Sequence, residues 1–210
     1  RSTLFPYTTL FRSARLEELL RELESDPNVL AVSPNYRVYP LKSPNDPQYA
    51  DGSLWGMEKI GVAEVWDTAT GSPDVYTAVI DTGIAREHED LKDRVSLQYS
   101  RNCCGEAETY IDDKKGHGSH VAGTIAATGN NGKGVVGVNW NGGIIALKVF
   151  PDRGKGAADS DIAKALDYLT KLLLKDPSLK VPAVNLSLGG YEPNRPDKNM
   201  GNLADRKSVV

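Results

Sequence analysis

Cysteine is scarce in these 210 residues: there are two, Cys103 and Cys104, and they are neighbours. A disulfide framework is therefore excluded, because adjacent cysteines bridge poorly in so short a ring. No further ligands stand at a spacing that suits a metal. The pair reads as free thiols, ahead of a strained redox pair. Long apolar runs are also absent, and none approaches the length of a membrane span, so no membrane partner is expected. Charge of one sign is not in excess. The formal net charge is −3. Mild acidity argues against a nucleic-acid partner. There is no internal repeat. Residues 129–137 are rich in glycine, but they follow a helical pattern rather than a strand, which is the wrong setting for a dinucleotide-binding loop. Apolar residues make up 40% of the chain, ordinary for a globular protein.

The two ends do not read like the rest. Leu4-Phe5-Pro6-Tyr7-Thr8-Thr9-Leu10-Phe11-Arg12-Ser13 resembles the in-frame translation of a short-read sequencing adapter, and Asp205-Arg206-Lys207-Ser208-Val209-Val210 the same adapter read from the opposite strand. Residues 1–13 and 205–210 are thus expected to be adapter-derived and outside the fold. They hold Arg1, Arg12, Arg206 and Lys207 against Asp205, a net +3, which leaves −6 on residues 14–204. That segment is expected to be open at both ends, with any signal peptide lying upstream.

Length allows one domain and part of a second. Leu16, Leu19, Leu20 and Leu23 recur at helical spacing and predict a helix from Ala14 to Leu23, ended by Ser25-Asp26-Pro27-Asn28. Val29 to Val32 predicts a short strand. Pro40 to Pro47 reads as an exposed linker and as the domain boundary, dividing residues 14–42 from 43–204. Beyond it, strand and helix alternate. Val75 to Ile80, Ile144 to Val149 and Val181 to Leu188 predict strands. His117 to Ala127 and Asp161 to Leu174 predict helices. The second of these has Asp159 or Ser160 as cap and Ile162, Ala165, Leu166, Leu169, Leu172 and Leu173 as its apolar face. The fold class is α/β: a parallel sheet flanked by helices, preceded by an α+β fragment. Chemistry in such sheets gathers at the carboxyl ends of the strands.

Two motifs carry that chemistry. Val79-Ile80-Asp81-Thr82-Gly83 ends an apolar run on a carboxylate. Gly116-His117-Gly118-Ser119-His120-Val121-Ala122-Gly123-Thr124 sets a histidine at the mouth of a helix of small residues. An Asp at a strand end and a His at a helix start are two thirds of a nucleophilic triad. Imidazole titrates near neutral pH and can take a proton from a serine and return it to a leaving amine. A carboxylate on its other nitrogen fixes the tautomer. The third member, a Ser in a Gly-rich turn, does not occur in these residues. His88 and His120 read as structural positions. Asp112 and Asp113 read as solvated loop carboxylates ahead of ion ligands.

Together with Val184-Asn185-Leu186-Ser187-Leu188-Gly189-Gly190, these blocks resemble the subtilisin family of serine peptidases, thermitase-like members included, in the family's own order. The resemblance covers nearly all of residues 14–204. It implies a secreted serine endopeptidase acting on polypeptides, with Asp81 and His117 as catalytic residues. Ser119 stands where the family usually has Thr, and the hydroxyl is kept. The resemblance also implies a substrate cleft between Ser187-Leu188-Gly189 and Gly154-Lys155-Gly156, in which a peptide pairs as an added strand. It implies a structural Ca2+ held by side chains of Asp46, Asp90 and Asn131 and by carbonyls of Thr128, Lys133 and Val135. Residues 14–42 would be the end of an inhibitory prodomain, cut near Leu41 to Pro44. The piece is expected to lack the nucleophilic Ser and the oxyanion Asn, and to be inactive by itself. The alternative is a non-catalytic peptide- or calcium-binding relative.

Overall fold

The computed structural model describes residues 13–34, 43–154 and 156–189. The adapter-like ends and the segment from Tyr36 to Leu41 lie outside them, apart from Ser13. The chain divides into two units, Arg1–Pro40 and Leu41–Val210.

In the first unit, α1 (Ser13–Glu24) forms where the leucine spacing predicts it. Leu16, Leu19 and Leu20 are half-buried, while Leu23 is exposed. Ser25 Oγ donates to the Glu22 carbonyl at 2.7 Å, closing the helix end. The strand predicted at Val29 to Val32 does not form, and Leu30 is fully exposed. An extended segment needs a partner for its backbone groups, and none pairs with it among the described residues.

The second unit is built on a parallel sheet. In chain order its elements are α2 (Pro47–Ala50), α3 (Trp55–Lys59), α4 (Val62–Trp66), β1 (Val75–Asp81), β2 (Arg101–Asn102), α5 (His117–Ala126), β3 (Gly143–Lys148), α6 (Asp159–Lys175) and β4 (Lys180–Asn185). The strand order is β2-β3-β1-β4, and all pairs are parallel. β1 thus lies between β3 and β4, where strand connections leave in opposite directions. The crevice at such a switch point is where open α/β sheets place their ligands.

Side chains alternate across the sheet, as the strand period requires. Ala78 and Ile80 of β1 join Ile145 and Leu147 of β3 on one face, packed against Ala165 and Leu169 of α6. Val79 joins Ile144 and Ala146 on the other, against Ala122 and Ala126 of α5. Both faces are covered, which is why β1 and β3 read as unbroken apolar runs. A third cluster holds Met57, Val62, Trp66, Val136 and Trp140. There Trp66 stacks on Trp140 at 4.8 Å and donates from its indole to the Val138 carbonyl at 2.8 Å.

Three details differ from the sequence reading. α6 begins at Asp159, with Ala158 as the cap residue and no side-chain cap bond. Asp159 and Asp161 fall in its first turn, where a carboxylate favours the helix dipole. The strand read from Val181 to Leu188 stops at Asn185. The linker's far end is not uniformly exposed: Pro44 and Asp46 are buried.

Candidate functional site

Asp81 is the last residue of β1 and His117 the first of α5. The fold brings them together: Asp81 Oδ1 lies 2.8 Å from His117 Nδ1. The Asp81 side chain is 1% exposed and that of His117 is 55% exposed, so the carboxylate is a buried support and the ring opens outward. Asp81 Oδ1 also accepts from the Thr82 amide at 2.7 Å. Its Oδ2 is buried with no hydrogen-bond partner among the described residues.

Glycine permits this meeting. A Cβ on Gly118 would stand 2.3 Å from the Gly83 carbonyl oxygen and 3.1 Å from Asp81 Cβ. Only a bare backbone lets α5 approach β1 so closely. Gly83 has φ +112°, a region closed to most side chains, and a Cβ there would meet the Ile111 carbonyl oxygen at 2.5 Å. Ile84 donates its amide to that carbonyl at 2.8 Å, laying the 111–113 loop across the end of β1.

Asp113 anchors this loop, and the sequence reading of it as a solvated carboxylate is corrected. Its Oδ1 accepts from Thr82 Oγ1 at 2.9 Å, the Lys115 amide at 2.9 Å and the Gly116 amide at 2.8 Å. Its Oδ2 accepts from the Ser119 amide at 2.9 Å and Ser119 Oγ at 2.7 Å. Burial alone would raise this carboxyl, but the bonds from Ser119, Gly116 and Lys115 outweigh it and hold its pKa below the usual carboxylate range. Thr82 Oγ1 in turn accepts from the Gly118 amide at 2.8 Å. Ser119 Oγ accepts from the Ala85 amide at 2.8 Å. Asp112 instead pairs with Arg86 at 3.1 Å. A group of three or more His, Cys, Asp or Glu able to hold a metal does not occur among the described residues.

Lys148, the β3 neighbour of Asp81, is a residue that sequence reasoning missed inside an apolar strand. It is fully buried, donates to the Thr82 carbonyl at 2.6 Å and pairs with Asp152 at 3.1 Å. The sequence signal is a lone Lys inside the apolar run from Ile144 to Phe150. Asp113 has no such signal.

The expected cleft residues follow the two strands that flank β1. Gly154 lies beyond β3 with φ +109°, and its carbonyl accepts from Lys115 Nζ at 2.8 Å. Gly156 follows it and is exposed. Beyond β4, Ser187 Oγ accepts from Asn185 Nδ2 at 3.0 Å, Leu188 packs on the α6-side core, and Gly189 is exposed. In a parallel sheet the carboxyl ends of β3 and β4 share one edge, on either side of the end of β1, and the two segments leave from there.

The expected cation ligands also converge. Asp46 and Asp90 are buried at 0% and 1% exposure. Asn131 meets both: its amide faces Asp46 Oδ1 at 3.4 Å and its Nδ2 donates to Asp90 Oδ1 at 2.9 Å. Val135 N donates to Asp90 Oδ2 at 3.0 Å, and Lys133 N to Asn131 Oδ1 at 2.8 Å. Thr128 Oγ1, at the head of this loop, is buried without a partner among the described residues. His88 Nδ1 accepts from the Asp90 amide at 3.1 Å. His88 and His120 line a cavity of about 350 Å³ together with Asp90 and Val135, and neither Asp81 nor His117 lines it. Both cysteines are free. Burial first, and the Glu106 charge second, push the Cys104 thiol up to about 11.

Comparison with known proteins bears on this arrangement. Residues 72–208 match the subtilase family. An extracellular protease of Xanthomonas campestris pv. campestris is 33% identical over 208 residues, covering 84% of this chain and 35% of that protein. Thermitase of Thermoactinomyces vulgaris is 32% identical over 170 residues, covering 80% and 56%. Among solved structures, a protease of Pseudoalteromonas arctica PAMC 21717 aligns with a TM-score of 0.60 at 30% identity, covering 71% of this chain and 51% of that one. Fervidolysin of Fervidobacterium pennivorans aligns with a TM-score of 0.56 at 29% identity, covering 77% and 25%. The chain spans between about a quarter and just over half the length of these relatives. The match runs through β1, α5 and β4, the elements that carry Asp81, His117 and the segment ending at Gly189, and by it the chain belongs to the subtilase family.

Proposed function

We propose that this chain supplies the acid–base half and the cleft walls of a serine endopeptidase. The observation that carries the reading is the 2.8 Å contact between buried Asp81 and the outward-facing ring of His117. An ionised carboxylate only accepts hydrogen bonds, so Nδ1 of the ring carries the proton and Nε2 is left as the base. Nε2 takes the serine proton as the serine attacks the peptide carbonyl, then returns it to the leaving amine. Asp81 keeps the ring oriented and offsets the charge it gains.

In this reading the nucleophilic serine and the oxyanion donor would be supplied by polypeptide outside the described residues. The substrate is an extended polypeptide, lying between the segments at Gly154–Gly156 and Ser187–Gly189 and held through its backbone. Residues 14–42 act as the tail of an inhibitory prodomain. The name of one relative, an extracellular protease, supports secretion.

Calcium is the second part of the proposal. Two buried carboxylates, Asp46 and Asp90, beside the loop headed by the partnerless Thr128 hydroxyl suit a hard cation with oxygen ligands. Asp46, Asp90 and Asn131 would hold it with the carbonyls of Thr128, Lys133 and Val135, and Asn131 would have to turn its amide over to offer oxygen. Bound Ca2+ supplies charge neutralisation that fixes the loop, and it takes no part in bond cleavage.

The test is covalent labelling by a fluorophosphonate of the protein that carries the serine. Labelling that disappears in the His117→Ala variant is expected. Equal labelling with and without the imidazole would overturn the assignment.

A further inference from the structure

The contact between Asp81 and His117 joins two residues 36 positions apart in the chain, so something must fix the end of β1 against the start of α5. The described residues show what does. Thr82, next to Asp81, holds the Gly118 amide on one side of its hydroxyl and donates to Asp113 with the other. Asp113 then reaches both flanks of His117: the Gly116 amide before it and the Ser119 amide and hydroxyl after it. Ser119 closes the ring by accepting from Ala85, back on the segment after β1.

We propose that Asp113 is a positioning residue for the Asp81–His117 pair. This rests on the peptidase reading above and goes beyond it. Asp113 touches neither the ring nor any reacting atom. It acts by fastening residues 115–119 to Thr82, so that the ring meets Asp81 in one orientation.

A carboxylate is required there, and an amide of the same shape will not serve. Five donors converge on its two oxygens, and an ionised carboxylate accepts from all of them and returns no donor. In Asp113→Asn one oxygen becomes an NH2 group. Placed at Oδ2, it faces the Ser119 amide. Placed at Oδ1, it faces the amides of Lys115 and Gly116. Either way donor meets donor, and N–H groups lose their acceptor.

The test reads His117 directly. In the 15N-labelled 210-residue chain, the Nδ1 proton of His117 is expected far downfield and slow to exchange. In Asp113→Asn that proton should exchange at least about tenfold faster, since losing a bond to a charged acceptor is worth an order of magnitude. Amides of β3, which make none of these bonds, should keep their protection. Asp112→Asn, which removes a carboxylate that bonds Arg86 instead, should leave the His117 proton unchanged. If Asp113→Asn does not fold, the threonine decides. Thr82→Val should free the proton as Asp113→Asn does, and Thr82→Ser should restore it. Wild-type exchange in both Asp113→Asn and Thr82→Val would overturn the role of Asp113 and leave the peptidase reading intact. A wild-type chain with no protected proton at Nδ1 would remove the pair itself, and the positioning role with it.

Discussion

Replacing Gly118 by Ala adds one methyl group where the backbone of β1's end leaves no room for it. The new Cβ would stand 2.3 Å from the Gly83 carbonyl oxygen and 3.2 Å from Asp81 Oδ1. The oxygen belongs to backbone pinned by the Ile84–Ile111 bond, so it cannot swing aside. Relief to an ordinary contact of 3.4 Å or more requires α5 to back away from β1 by about 1 Å. A 2.8 Å bond stretched by that amount falls outside hydrogen-bond range. The Asp81–His117 contact and the Gly118–Thr82 bond are both expected to break. Overpacking of this kind costs about 1–3 kcal/mol, and the lost bonds add to it. For a chain of this size the melting temperature should drop by about 5–10 °C. Gly123→Ala, in the same helix, is the control. A Cβ there meets nothing within 4 Å, and replacing a mid-helix Gly by Ala should stabilise by about 0.5–1 kcal/mol. Differential scanning calorimetry and the His117 Nδ1 proton resonance read both effects. A Gly118→Ala chain that melts with the wild type and keeps that resonance would refute the close-approach argument.

Three further outcomes follow from the geometry. The folded-state pKa of Asp113 is lowered, so its contribution to stability is fully present above the unfolded value near 3.9 and fades as pH falls through the lower folded value. Urea midpoints of wild type and Asp113→Asn should therefore converge in acid, and parallel curves down to about pH 2 would contradict the assignment. With the Cys104 thiol pushed up to about 11, iodoacetamide at about pH 8 should alkylate it about a hundredfold more slowly than a free thiol of pKa near 8.5, as measured by mass spectrometry on the folded chain; labelling at the free-thiol rate would count against its burial. Calcium at about a hundred times its dissociation constant should stabilise the chain by about 2.7 kcal/mol, an increment that Asp90→Asn should abolish. Identical melting in calcium and in chelator would remove the proposed cation site.

Much of this was legible in the sequence, and the reasons are physical. β1 and β3 are covered on both faces, so they appear as apolar runs of strand length. α6 carries its apolar residues on one face, and all six of those expected there pack in the core around Ala165 and Leu169. Asp81 and His117 stand out because each ends or begins such an element with glycine close by. The elements missed are too short to show a period: α2, α3 and α4 have four or five residues, and β2 has two. Asp113 is invisible for another reason. Beside Asp112 in a charged loop it looks like its neighbour, and only bonds to Thr82, 31 residues away, and to Ser119 tell the two apart. The linker reads wrongly at its far end because the proline-rich composition of residues 40–47 suggests exposure, whereas Asp46, singled out only by the family resemblance, is buried with the amides of Asn130 and Asn131 pointing at it.

The claim that Asp81 and His117 form the acid–base half of a peptidase site is tested most directly by the turnover of a fluorogenic peptide. The comparison is between wild type and Asp81→Asn in the protein that carries the serine. Asparagine keeps the shape at residue 81 but presents a donor to the ring and favours the wrong tautomer. The account predicts a fall in kcat of about 10⁴, the scale known for triads of this type, with KM little changed. An Asp81→Asn protein with wild-type kcat would contradict it.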